Sequence, residues 1–253
     1  MHPFLDHPRP LAIAHRGGAL EVEENTLPAF AHAIGLGYSH IELDVHATKD
    51  GEVVIHHDDD LQRMTGDPRA IADLTYAEVS RVRTFGGASI PRLLDLLEEY
   101  PQVHMNIEAK SDAVVEPFAR IIARAGALPR LGTGSFDNAR IQRLQALLGA
   151  DLCWSPAHAG VLALWLRGWR LPLRLGGFPV VQVPLAWRGI PVVTPRFLRA
   201  ARRCGVLVQV WTVDDAPLMH RLLDIGVDGI MTDRPSLLKQ VLIERNQWRA
   251  APC

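Results

Sequence analysis

Long apolar runs, an excess of one charge and a cysteine framework are all missing from this chain. No stretch of about 18 uninterrupted apolar residues occurs, which excludes an ordinary membrane-spanning helix. The formal net charge of −1 carries no field that would gather nucleic acid. The three cysteines, Cys153, Cys204 and Cys253, are odd in number, widely scattered and fit no metal-ligand spacing. They read as reduced thiols, and a soluble, cytoplasmic protein is the expectation. The opening Met1-His2-Pro3-Phe4-Leu5-Asp6-His7-Pro8-Arg9-Pro10 lacks the basic and then apolar regions of a secretory signal. There is no low-complexity tract. A hydrophobic fraction of 48% over 253 residues is ample for a sizeable core.

What is present is alternation. Short apolar strand candidates are spaced along the chain at Leu11 to His15, Ile41 to Val45 (continuing through Val53 to His57), Val103 to Glu108 and Leu131 to Ser135. Four more follow at Asp151 to Trp154, Val180 to Pro184, Val206 to Trp211 and Gly229 to Thr232. Between them lie helix-patterned runs such as Leu27 to Leu36, Val114 to Ala125, Ala139 to Leu148, Thr194 to Cys204, Ala216 to Ile225 and Pro235 to Arg249. Eight strand–helix units at this length predict a closed α/β barrel, a (β/α)8 TIM barrel, forming one domain over residues 1–253. One connection is too long. Residues 58–101 carry turn signals and two short helices, and read as a small insertion after strand two on the catalytic face.

Polar residues of unusual chemistry collect where strands end, which is where barrel enzymes keep their active sites. Residues two apart on a strand share a face, so Glu42 projects with Asp44, and Glu108 with Lys110. Three carboxylates, Glu42, Asp44 and Glu108, would repel one another without a cation, and hard oxygen donors suit Mg²⁺ or Ca²⁺. Arg16 offers a fork of donors suited to phosphate, and Gly17-Gly18 lets backbone N–H groups approach an anion. Lys110 is a second phosphate-facing cation. His15, His56 and His57 are candidate proton carriers, with Asp58 available to orient an imidazole. Glu24 is placed to reach the metal or to position His15. Asn25 and Thr26 read as helix caps, Asp233 as the cap of the last helix, His46 as a rim residue and Trp211 as a pocket wall. Together these residues point to metal-assisted attack on a phosphate ester.

The same segments closely resemble the glycerophosphodiester phosphodiesterase family. They are His15-Arg16-Gly17, Glu24-Asn25-Thr26, Glu42-Leu43-Asp44-Val45, Thr48-Lys49-Asp50-Gly51, His57-Asp58, Glu108-Ala109-Lys110, Ser135-Phe136, Trp211-Thr212-Val213 and Asp228 to Pro235, in that order. The resemblance implies a barrel with an insertion after strand two, and hydrolysis of glycerophosphodiesters to glycerol 3-phosphate and an alcohol. It selects His57 over His56 as partner of His15 in acid–base catalysis. It also implies that the divalent ion, Mg²⁺ or Ca²⁺, sits on Glu42, Asp44 and Glu108, with Arg16 and Lys110 on the phosphate and the substrate's own hydroxyl as nucleophile. The match is weakest from Asp137 to Ile190. There, residues 161–174 interleave tryptophan and leucine with arginine. They read as a helix packed on the barrel or as an interfacial segment making peripheral membrane contact, and the second reading would favour a lysophospholipase D. A silent phosphodiester-binding barrel is disfavoured because both histidines and all three carboxylates are present.

Overall fold

The computed structural model describes residues 2–250. Eleven strands form: β1 (Leu11–Ala14), β2 (His40–Ala47), β3 (Val53–Ile55), β4 (His104–Ala109), β5 (Leu131–Gly134), β6 (Cys153–Trp154), β7 (Val180–Val183), β8 (Ala186–Trp187), β9 (Ile190–Pro191), β10 (Leu207–Val210) and β11 (Gly229–Thr232). Eight of them run parallel in the order β6-β5-β4-β2-β1-β11-β10-β7. The seam between β6 and β7 is closed by the Gln182 backbone N–H, which donates to Ser155 Oγ at 2.9 Å. The expected barrel is therefore present, with each expected strand in its place except one.

That exception is the run drawn from Ile41 through His57 as a single strand. Gly51 has φ +82°, and its N–H bonds back to Thr48 O at 2.9 Å, so the chain reverses. β3 returns antiparallel to β2, pairing Val45 with Ile55. This reversal brings His57 back beside the carboxylates on β2.

Among the described residues ten α-helices accompany the strands: α1 (Leu27–Gly35), α2 (Gln62–Thr65), α3 (Tyr76–Val79), α4 (Leu93–Glu99), α5 (Val115–Arg124), α6 (Asn138–Leu148), α7 (His158–Arg167), α8 (Pro195–Arg203), α9 (Ala216–Ile225) and α10 (Pro235–Glu244). The main core lies between strands and helices. Ile41, Leu43, Val45, Met105 and Ile107 point outward and pack against Phe30, Leu93, Leu96 and Phe118. α4 thus belongs to the main core. The segment before it has a small core of its own, made by Val54, Leu61, Ile71, Leu74, Val79 and Ile90.

Opposite parity gives the barrel a polar interior in layers. His40 is in register with His104, Glu42 with Asn106, and Asp44 with Glu108. In the middle layer Gln182 Nε2 donates to Asn106 Oδ1 at 2.8 Å and to Gln209 Oε1 at 2.9 Å. The bottom is sealed by a 3-10 turn, Pro3–Leu5, whose Phe4 is fully buried. Gly132 leaves room for that ring: a Cβ there would stand 2.5 Å from it. Cys153 and Cys204 are free, and Cys253 lies outside the described residues. Among the described residues no helix is long and apolar enough to cross a membrane.

Candidate active site

The C-terminal ends of the strands open into a cavity of about 690 Å³. Eight of the sequence candidates line it: His15, Arg16, Glu42, Asp44, His57, Glu108, Lys110 and Trp211. Glu24 and Asp58 stand behind them. His15 follows β1 directly, and its Nδ1 donates to Asp233 Oδ1 at 2.6 Å while Nε2 lies 3.7 Å from Glu42 Oε2. Burial disfavours the charged ring, but Glu42 and Asp233 outweigh it, and the His15 pKa is raised. Arg16 adopts φ +51°, which turns its backbone N–H onto Glu42 Oε2 at 3.1 Å. Its guanidinium spans Glu24 Oε1 (3.0 Å) and Asp44 Oδ2 (3.3 Å).

Asp44 takes both local cations, since Lys110 Nζ is 3.1 Å from its Oδ1 and 3.1 Å from Glu108 Oε2. Burial raises the Asp44 pKa, but Lys110 and Arg16 overcome this and hold it below the usual carboxylate range. Among the described residues no lysine or arginine side chain pairs with Glu42, and burial together with Asp44 pushes its pKa up to about 8. Burial and Asp44 also raise Glu108, against the pull of Lys110. A buried carboxylate whose nearest cationic partner is an imidazole at 3.7 Å is where a divalent ion would relieve repulsion, and three carboxylates are a suitable hard donor set. The oxygens of the three do not all close to within 4.8 Å of one another, and the Lys110 ammonium lies 3.1 Å from both Asp44 and Glu108.

His57 lines the cavity with Nδ1 held by Asp58 Oδ1 at 2.7 Å. Asp58 is held down to about 2, where Arg63 and His57 overcome its burial. His56 Nε2 lies 3.0 Å from Asp60 O, and His56, unlike His57, does not line the cavity. Arg63 Nη2 also reaches Glu24 Oε1 at 2.6 Å, tying the segment after β3 to the site.

Four readings change. Asp233 is not the cap of α10, whose N-cap residue is Arg234; it holds His15, and is itself steadied by its own N–H donating to Asp214 Oδ1 at 2.7 Å. Thr26 caps α1, but Asn25, at φ +55°, donates from Nδ2 to Asp44 Oδ2 at 3.0 Å. Glu24 does not touch His15, because two guanidiniums claim it. His46 is buried, not on the rim, with Nε2 3.2 Å from His57 O. No local pattern marks Asp233 for this contact, since 218 residues separate it from His15 and closure of β1 against β11 joins them.

The far wall of the cavity is apolar, built from Phe136, Val161, Leu162, Trp165, Trp187, Ile190 and Trp211. Trp187 and Ile190 sit on the β8–β9 hairpin, turned by Arg188 and Gly189 at φ +49° and +80°. This hairpin had no counterpart in the sequence reading.

Two imidazoles, each braced by a carboxylate, over acidic and basic groups at the C-terminal mouth of an α/β barrel define a barrel hydrolase. The chain matches the Glycerophosphoryl diester phosphodiesterase family over residues 15–121 and 165–237, and it belongs to that family. It is 38% identical to "Probable glycerophosphodiester phosphodiesterase 2" of Mycobacterium tuberculosis, over 98% of this chain and 96% of that one. It is 26% identical to a human lysophospholipase D, over 91% of this chain and 85% of that protein. An Oleispira antarctica phosphodiesterase in complex with sn-glycerol-3-phosphate shares the fold, with a TM-score of 0.78 at 22% identity over 92% of this chain and 97% of that one.

Proposed function

We propose that this chain is a divalent-cation-dependent phosphodiesterase that hydrolyses glycerophosphodiesters to glycerol 3-phosphate and an alcohol. The observation that carries it is the pair His15 and His57, each with Nδ1 on a carboxylate and each lining the cavity that holds Glu42, Asp44 and Glu108. A carboxylate on Nδ1 fixes that nitrogen as the donor, so Nε2 is the atom that takes or gives a proton. One ring accepts the proton of the substrate's attacking glycerol hydroxyl and the other protonates the departing alcohol; the rings then exchange roles as water opens the resulting cyclic phosphate to glycerol 3-phosphate. Arg16 and Lys110 bind the phosphate oxygens, and Trp211 walls the alcohol side. Glu42, Asp44 and Glu108 would hold the ion, which when bound lowers a hydroxyl's pKa and offsets charge at phosphorus. Glu24 and Asp58 keep Arg16, Arg63 and His57 in place. The protein is read as a single barrel domain whose 58–101 segment shapes this mouth. Its thiols fit the cytoplasm.

The apolar wall supports a second reading, a lysophospholipase D. Leu162, Trp187 and Ile190 are 56%, 45% and 52% exposed, and they continue the cavity lining toward solvent. Within residues 161–174, α7 also packs on the barrel through the fully buried Leu164, so only one flank of it is free for a lipid surface. The test is product release from glycerophosphocholine and from lysophosphatidylcholine, each with Mg²⁺, with Ca²⁺ and with excess EDTA. Metal-dependent glycerol 3-phosphate from the deacylated substrate is expected. Lysophosphatidic acid from the acylated substrate alone would transfer the assignment to the second reading. Full activity in EDTA would refute the metal site.

A further inference from the structure

At the opposite end of the barrel from the carboxylates, three histidines converge. His40 opens β2 and His104 opens β4, in register with each other, so their inward side chains form the bottom layer of the interior. Their rings stack at 4.7 Å. His7 comes from the N-terminal segment that closes the barrel and stands edge-on to both, at 4.6 Å and 4.3 Å between centroids. One ligand nitrogen from each of the three lies within 4.8 Å of the others. Among the described residues no other trio of histidine, cysteine or acidic side chains is so tight. His7 Nε2 and His104 Nε2 are 3.2 Å apart. Two imidazoles on one tetrahedral zinc ion at 2.0–2.1 Å place their nitrogens about 3.3 Å apart. His104 Nδ1 is buried with no hydrogen-bond partner, so no contact on that edge holds the ring's other nitrogen in its place. His7 and His104 are both half-buried, which leaves a route from solvent.

We propose that His7, His40 and His104 form a structural binding site for a borderline transition-metal cation, Zn²⁺ first, which ties the N-terminal segment across the barrel's closed end. Imidazole nitrogens select such ions over the hard cations suited to the carboxylates at the other end. His40 is the ligand with the most to give up, since Ser39 Oγ lies 2.8 Å from Nδ1 and Phe4 O 2.9 Å from Nε2. Binding would exchange the Phe4 contact for the ion. The site asks nothing of the catalytic groups, so its occupancy should register in stability and not in turnover.

The test is calorimetric titration of the full chain with Zn²⁺ after EDTA treatment and desalting, in a Glu42→Gln/Asp44→Asn background that removes the carboxylate site. One equivalent of Zn²⁺ is expected to bind and to raise the melting temperature. His7→Gln, on the segment outside the barrel wall, should weaken binding by at least tenfold, on the scale seen when a metal site loses a supporting group. It should also abolish the zinc-induced melting shift while the metal-free melt stays near that of its parent. Anomalous scattering at the zinc edge in crystals of the otherwise native chain gives a second readout that needs no variant. A peak among the three rings supports the site. No binding in the carboxylate-free background, binding unaltered by His7→Gln, or a peak confined to the carboxylates would each overturn it.

Discussion

The two ends of the barrel interior use similar side chains in opposite ways. At the C-terminal mouth His15 sits between Asp233 and Glu42, in a field that favours its protonated form. At the N-terminal end His40 and His104 have no carboxylate partner, and burial and neighbouring imidazoles lower both pKa values, that of His104 to about 4. The first arrangement suits proton traffic, the second a neutral plug. Burial lowers a histidine's pKa at both ends, and at His15 the neighbouring carboxylates, Glu42 first and then Asp233, reverse it.

Substitutions at the two ends should separate cleanly. His15→Ala is expected to lower turnover of glycerophosphocholine by roughly 10²–10⁴-fold, the range for a general acid or base, while the variant remains cooperatively folded. Phe4→Ala should do the reverse. Removing a fully buried ring costs about 3–5 kcal/mol, measured by denaturant unfolding, while kcat of the folded fraction holds. Asp233→Asn should cost on the order of 10- to 100-fold in kcat, as for outer partners that orient a histidine, and leave KM little changed.

The smallest effect is a pH dependence measured in EDTA. The folded pKa of His104 lies below the ordinary 6.5, so between these values the unfolded chain binds more protons. That contribution to stability is complete above pH 6.5 and is lost as pH falls toward about 4. His15 has the opposite sign: its raised pKa adds stability below 6.5 that fades as pH rises through the folded value. Urea midpoints between pH 4 and 8 should show the acid-side loss shrink in His104→Asn and the alkaline-side loss shrink in His15→Ala. If neither variant alters its own limb, the contrast between the ends fails.

Much of the mouth was legible in the sequence because strand parity is local. Glu42 and Asp44 on β2, and Glu108 on β4 with Lys110 just beyond it, can be placed on one face from spacing alone, and the apolar Ile41, Leu43 and Val45 show which face is outside. What stayed hidden depends on closure or on a turn. Asp233 reaches His15 only because β11 closes against β1. Asn25 reads as a cap because its left-handed backbone, which aims it at Asp44, leaves no mark in sequence. β3 runs back along β2 through the four-residue turn Thr48 to Gly51, so a run drawn as one strand became two. The histidine plug combines residues 7, 40 and 104, each unremarkable beside its sequence neighbours.

The braced histidine pair carries the proposed catalysis, and His57→Ala tests it directly. ³¹P NMR of glycerophosphocholine with Mg²⁺ should show the native chain converting the diester signal to that of glycerol 3-phosphate. His57→Ala, folded and melting with the native chain, should leave the diester intact over the same period. A monoester signal growing at the native rate in that variant would contradict the assignment of catalysis to this pair.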